Sequence, residues 1–138
     1  MSIIGTALSG MRASQAKLSA SASNVANHNA GPIAAPVTFG PIGKVQERSH
    51  AYQPIGTEQS ALPTGGLATH HAPASQPYIL RYQPESFSAD SQGMVATPNV
   101  DLAQEAAEQL AATQNFKANA RIVQTADDMT RSTLIIWG

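Results

Sequence analysis

Large apolar residues recur near the start of the chain at Ile4, Leu8, Met11, Leu18 and Val25, with Gln15 and Ala22 at the intervening steps. The gaps alternate between four and three residues, the period of a helix packed along a heptad seam. Ser2 is the expected N-cap. Ser9, Arg12, Ser19 and Ser23 fall on the opposite face. Asn27-His28-Asn29-Ala30-Gly31-Pro32 is the expected stop, because Asn and Gly tolerate left-handed backbone and proline cannot continue a helix. A helix from Met1 to Asn27 would be about 40 Å long. Gly5 and Gly10 each weaken it by about 1 kcal/mol relative to alanine. The segment is therefore expected to be weakly ordered in a free monomer and helical in an assembly.

A second helical pattern closes the chain. After Pro98 there is no proline, and no glycine before Gly138. Leu102, Ala106 and Leu110 begin an apolar stripe that Phe116, Ala120, Val123, Ala126, Met129, Thr133 and Ile136 continue. Asp101-Leu102-Ala103-Gln104 fits a capping box. Asp101, Glu105 and Glu108 put negative charge where the helix dipole favours it, and Arg131 lies near the other end, four residues after Asp127. Leu134, Ile135 and Trp137 widen the stripe, so the tail exposes apolar groups that need a partner.

Between the helices the pattern breaks. All the prolines except Pro98 fall in residues 32–97, with Gly40, Gly43, Gly56, Gly65, Gly66 and Gly93. Short runs have strand character: Val37-Thr38-Phe39, Lys44-Val45-Gln46, Leu67-Ala68-Thr69-His70 and Tyr78-Ile79-Leu80-Arg81-Tyr82. Gly65-Gly66 reads as a tight turn. Residues 46–64 are expected to be disordered in an isolated subunit. The fold expected is mainly α with a small irregular β element. Its units are an N-terminal coiled-coil helix (1–31), a Pro/Gly-rich β-containing middle (32–97) and a C-terminal coiled-coil helix (98–138).

Composition narrows the function. The hydrophobic share is 42% but aromatics are 5%, so much of it is alanine and a conventional core would be thin. Charged residues are 12% and the net charge is −1, which does not suit a nucleic-acid backbone. There is no cysteine, which excludes disulfides and thiol chemistry. No run is long and apolar enough for a membrane span, and no cleavable signal pattern opens the chain. His28, His50, His70 and His71 do not form a metal set: adjacent residues on a strand point to opposite faces, and no other ligand completes a zinc-like spacing. Glu105 and Glu108 are more simply dipole-matching acids than an acid/base pair. No nucleophile elbow, phosphate loop or dinucleotide fingerprint occurs. Neither an enzymatic centre nor a cofactor nor a small-molecule substrate is expected.

Asn24 and Asn119 stand inside helical stretches, where asparagine gains little. They are expected at a packed interface, within or between subunits, where a polar residue can fix register. As register markers, either could be replaced by leucine with the helices still formed.

Four stretches carry a family likeness. Ser23-Asn24-Val25-Ala26-Asn27 is similar to the N-terminal signature of flagellar basal-body rod proteins. Gly65-Gly66-Leu67 through Tyr78–Pro84 resembles the middle of their short proximal-rod type. Ala89–Asp101 is similar to that type's lead-in to the second helix. Phe116-Lys117-Ala118-Asn119-Ala120-Arg121 with Gln124-Thr125-Ala126-Asp127-Asp128-Met129 resembles the C-terminal signature shared by rod and hook proteins. The resemblance implies a structural subunit exported unfolded by the flagellar type III apparatus without a cleaved signal. It would polymerise helically with itself and other rod subunits in the periplasm, surrounded by membrane but not inserted in it. The hollow shaft so built transmits torque from motor to hook. The expected assembly interface comprises Ile4, Leu8, Met11, Leu18, Asn24, Val25, Asn27, Phe116, Asn119, Val123, Ala126, Met129 and Ile136; because the two apolar stripes lack other cover, Ile4, Leu8, Met11 and Leu18 are expected to meet Val123, Ala126, Met129 and Ile136. The alternatives are a helical adaptor or chaperone of a secretion apparatus, which would not need two asparagine-containing terminal signatures, and an enzyme embedded in such an apparatus, such as a wall hydrolase, which would need an acid-lined cleft.

Overall fold

The computed structural model of the chain describes residues 2–31, 33–34, 52–89 and 91–137. The element order is α1 (Ile3–Asn27), β1 (Ile33–Ala34), β2 (Ile55–Ala61), β3 (Leu67–Pro73), β4 (Tyr78–Tyr82), β5 (Met94–Pro98) and α2 (Leu102–Trp137). The architecture is mainly α: two long terminal helices with two small antiparallel sheets between them. One sheet has the order β1-β5-β4, and the other is the β2-β3 hairpin. Val37–Phe39 and Lys44–Gln46 lie outside the described residues.

The helices run antiparallel. Gly10 lies against Asn119, and near the other end of α1 Ser21 and Asn24 bond to Glu105. Ala7, Gly10, Ser14, Lys17, Ser21 and Asn24 recur at alternating gaps of three and four, and each is buried or half-buried. Glu105, Gln109, Ala112, Asn119, Val123 and Ala126 do the same on α2, with the half-exposed Phe116 in step. These two rows of mostly small or polar residues form the seam. The apolar row read from the sequence does not: Ile4, Leu8 and Leu18 are each more than 40% exposed. The start of the stripe expected on α2 also faces outward, with Leu102 at 47% and Leu110 at 63%. Small residues win the seam because they let two backbones approach closely.

The hairpin covers a second side of α1. Ser9 Oγ accepts from Leu67 N at 3.2 Å, and Asn24 holds Ile55 at the far end of the strands. Ser9 to Asn24 is about 22 Å of helix, and a seven-residue strand is about 23 Å long. The hairpin thus lies along the helix and matches its length. Ala13 and Ala20 are buried as well. Ser9 and Ser23, expected to face away from the packing, both take part in it. Of residues 46–64, expected to be disordered, 46–51 lie outside the described residues, and 52–64 are built around an ordered strand, because Asn24 and β3 supply its hydrogen bonds.

The turn at Gly65-Gly66 forms as expected, with φ of 86° and 94° and bonds closing Leu62 to Gly65 and Gly66. β3 and β4 contain the expected strand segments, and β4 coincides with Tyr78–Tyr82. β2 and β5 were not expected from the sequence. β5 holds the buried Val95 and Ala96. Pro98 ends it at a position paired with Tyr78, where β4 requires no N–H from it.

Ser2 makes no side-chain cap bond; its carbonyl accepts from Thr6 N instead. Asp101 does cap α2, accepting from Ala103 N at 2.8 Å and Gln104 N at 3.3 Å. The reciprocal half of the expected box is absent, because Gln104 turns to Glu108. Asp101→Ala is expected to cost about 1 kcal/mol in urea unfolding. Asp127 and Arg131 pair at 2.9 Å, both exposed, so this bridge adds little. At the end of α1 only Gly31 adopts positive φ; Asn27 and Asn29 do not.

Candidate assembly interface

Asn24 is the best-connected side chain among the described residues, and it is 5% exposed. Its Nδ2 donates to Ile55 O at 2.9 Å and to Glu105 Oε1 at 2.7 Å. Its Oδ1 accepts from Ile55 N at 3.0 Å and from the Tyr52 hydroxyl at 2.6 Å. An amide has two N–H donors and two acceptor lone pairs, so all four are used. Toward Ile55 the side chain pairs as a neighbouring strand would. One residue thereby joins α1, β2 and the first turn of α2. Ser21 reinforces the joint by donating to Glu105 O at 3.1 Å. The second carboxylate oxygen of Glu105 is buried without a hydrogen-bond partner. It lies beside a cleft of about 170 Å³ lined by Lys17, Thr57, Asp101, Glu108 and others.

Asn119 does different work. Its Nδ2 donates to Asn115 O at 2.9 Å within α2, while its amide fills the space over Gly10. A Cβ placed on Gly10 would sit 2.7 Å from that amide, so glycine permits the close approach here. Asn27 bonds back to Ser23 O in its own helix.

The remaining interface residues divide into two groups. Phe116, Val123 and Ala126 belong to the seam with Asn119. Ile4, Leu8 and Leu18 face outward with Met11 and Val25 half-buried beside them, while Met129 is 66% and Ile136 81% exposed. Leu18 does not meet Ile136. With Gly10 opposite Asn119, helical rise puts Ile3 level with Ala126. Residues 127–137 run about 16 Å past the start of α1. This overhang carries Leu134, Ile135 and Trp137, the last 88% exposed. Sequence reasoning missed Gly10, Ser21, Tyr52, Ile55 and Glu105. The three-and-four spacing of Gly10, Ser14, Lys17, Ser21 and Asn24 was a signal for part of this set.

Among the described residues no group of three or more His, Cys, Asp or Glu is placed to hold a metal. His70 pairs instead with Glu58 across the hairpin at 3.0 Å.

Helices that pair through small residues and leave large apolar rows uncovered define a subunit that neighbours complete. A family profile described as the flagellar basal body rod FlgEFG protein C-terminal matches residues 91–136. The chain is 31% identical over 137 residues to the flagellar basal-body rod protein FlgC of Escherichia coli O157:H7, covering 99% of this chain and 96% of that one. Identity is 30% over 137 residues to the protein of the same name from Salmonella typhimurium, with 99% and 96% covered. For that of Yersinia enterocolitica it is 30% over 137 residues, with 97% and 92% covered. The chain belongs to the flagellar basal-body rod protein family.

Proposed function

We propose that the chain is a structural, non-catalytic subunit of the flagellar rod, polymerising helically into the hollow shaft that carries torque from motor to hook. The observation that carries this is the placement of its apolar rows. Ile4, Leu8 and Leu18 on α1 and Met129, Leu134, Ile135 and Ile136 on α2 remain exposed after the chain has folded. In the rod these rows pack against neighbouring copies and other rod subunits, with Met11 and Val25 at the margin. Phe116, Asn119, Val123 and Ala126 keep the two helices of each subunit together, while Asn24 and Asn27 hold the end of α1. Residues 1–31 and 98–138 then form a coiled-coil layer around an axial channel, and 32–97 pack between neighbours.

Export through the flagellar type III apparatus without a cleaved signal, followed by assembly in the periplasm, fits this reading. Among the described residues no helix is long and apolar enough to cross a membrane. The adaptor or chaperone alternative is disfavoured by similarity to rod proteins along nearly the whole chain.

Leu18→Asp and Ile136→Asp test the reading. Both positions are already exposed in the folded chain, so each variant is expected to fold normally but to build no rods in cells lacking the wild-type protein. Normal motility with both would contradict the proposal. The single tryptophan gives an independent signal. Trp137 emission is expected near that of indole in water for the free chain, shifting to shorter wavelength on assembly. No shift would mean that the overhang stays wet.

A further inference from the structure

Among the described residues the two sheets end on open edges that match. In β4, the bonds from Asn99 N to Pro77 O and from Gln83 N to Gly93 O show which backbone groups turn toward β5. Strand alternation then points the N–H and C=O of Tyr78, Leu80 and Tyr82 outward. In β2, the bonds from Ala74 N to Pro54 O and from Leu62 N to Gly66 O fix the side facing β3. Ile55, Thr57, Gln59 and Ala61 point outward, as the grip of Asn24 on Ile55 confirms. Asn24 closes the first of these positions. Thr57, Gln59 and Ala61 stay open among the described residues, three residues against the three on β4. The outer edge of β3 is a poorer template, since Ser9 occupies Leu67 N and Pro73 has no N–H.

β4 is exposed along its whole length, with Leu80 at 61% and Tyr82 at 70%. Folded chains usually blunt such an edge with charge, proline or a cover. Here the only charge on the strand is Arg81, which makes no ion pair among the described residues.

We propose that the β4 edge of one copy adds antiparallel to the β2 edge of a second copy, joining the two sheets across the subunit boundary. The register follows from using every open position. Tyr82 pairs with Thr57, Leu80 with Gln59, and Tyr78 with Ala61. That register sets Arg81 directly opposite Glu58, an exposed carboxylate whose partner within the chain is His70. Directly opposed charges of opposite sign favour one strand pairing over its slipped neighbours. Hydrogen-bonded pairs share a face, so Tyr82 is carried over the cleft that Thr57 and Glu108 line. The contact joins two different edges and is therefore heterologous: it propagates instead of closing a dimer. The inference rests on the assembly reading, and it specifies a contact that the apolar helix rows do not provide.

Ser60 and Ile79 fall opposite each other at a non-hydrogen-bonded pair, the closer kind. The chain has no cysteine to interfere. Full-length Ser60→Cys and Ile79→Cys copies, mixed at high concentration under mild oxidation, are expected to give the mixed disulfide as the dominant covalent product. A copy carrying both substitutions gives a ladder of covalent oligomers. Adding Arg81→Glu to the Ile79→Cys copy is expected to lose the mixed product, and adding Glu58→Arg to its partner to restore it. Dominance of an Ile79→Cys self-disulfide, absence of the mixed disulfide, or indifference to the charge changes overturns the edge pairing. A chain found in isolated rods that gives no mixed disulfide leaves the rod reading standing, whereas absence of the chain from rods overturns that reading itself.

Discussion

Asn24→Leu is expected to destabilise the free chain by roughly 3–5 kcal/mol, most of what a small domain has to lose. Leucine removes four hydrogen bonds and leaves Ile55 N–H, Ile55 C=O and Glu105 Oε1 without their partner, while the Tyr52 hydroxyl keeps only Ser23. Each buried polar group so stranded costs about 1–3 kcal/mol, reduced where water reaches it. The sequence alone suggested a milder outcome, with helices intact and only the register lost. The larger cost is expected because the amide's whole hydrogen-bonding capacity is already used inside the folded chain. Urea unfolding of the full chain decides between them. A loss below about 1 kcal/mol with helix content unchanged would return Asn24 to a role between subunits.

Gly10→Leu is expected to force the helices apart at their closest approach, at a cost of about 1–3 kcal/mol from overpacking. The obstacle is the Asn119 amide, 2.7 Å from where the Cβ of any larger residue at position 10 would stand. A cycle with alanine isolates this contact. Gly10→Ala alone sets about 1 kcal/mol of helix propensity against the clash. With Asn119→Ala also present the clash is gone and the propensity remains, so Gly10→Ala is expected to stabilise that background. If alanine at position 10 has the same effect in both backgrounds, Gly10 and Asn119 are not in contact and the helix register is wrong.

Periodicity made both terminal helices legible, since Ile4, Leu8, Met11, Leu18 and Val25 keep a heptad step and nothing after Pro98 interrupts α2. It did not reveal which face would be buried inside the subunit. The seam went to Ala7, Gly10, Ser14 and Ser21, residues that a hydrophobicity pattern counts as neutral or weak. Apolar strength marked the uncovered face instead, as expected where binding to other copies follows folding. β4 was legible because Tyr78–Tyr82 is rich in β-branched and aromatic residues. β2 was not: Ile55–Ala61 has little strand propensity and is held by Asn24 and by β3. Asn24 stood out in the sequence as a polar residue in a helix, but its partners, 31 and 81 residues away, could not be read from it.

A density map of the isolated basal body tests the central claim most directly. The chain is expected in the rod with Asn24 bonded to Ile55 and Glu105 of the same subunit, and with Ile4, Leu18 and the 127–137 overhang buried against neighbouring subunits. A map in which the overhang and the outer row of α1 face solvent, or in which the chain is missing from the rod, would contradict it.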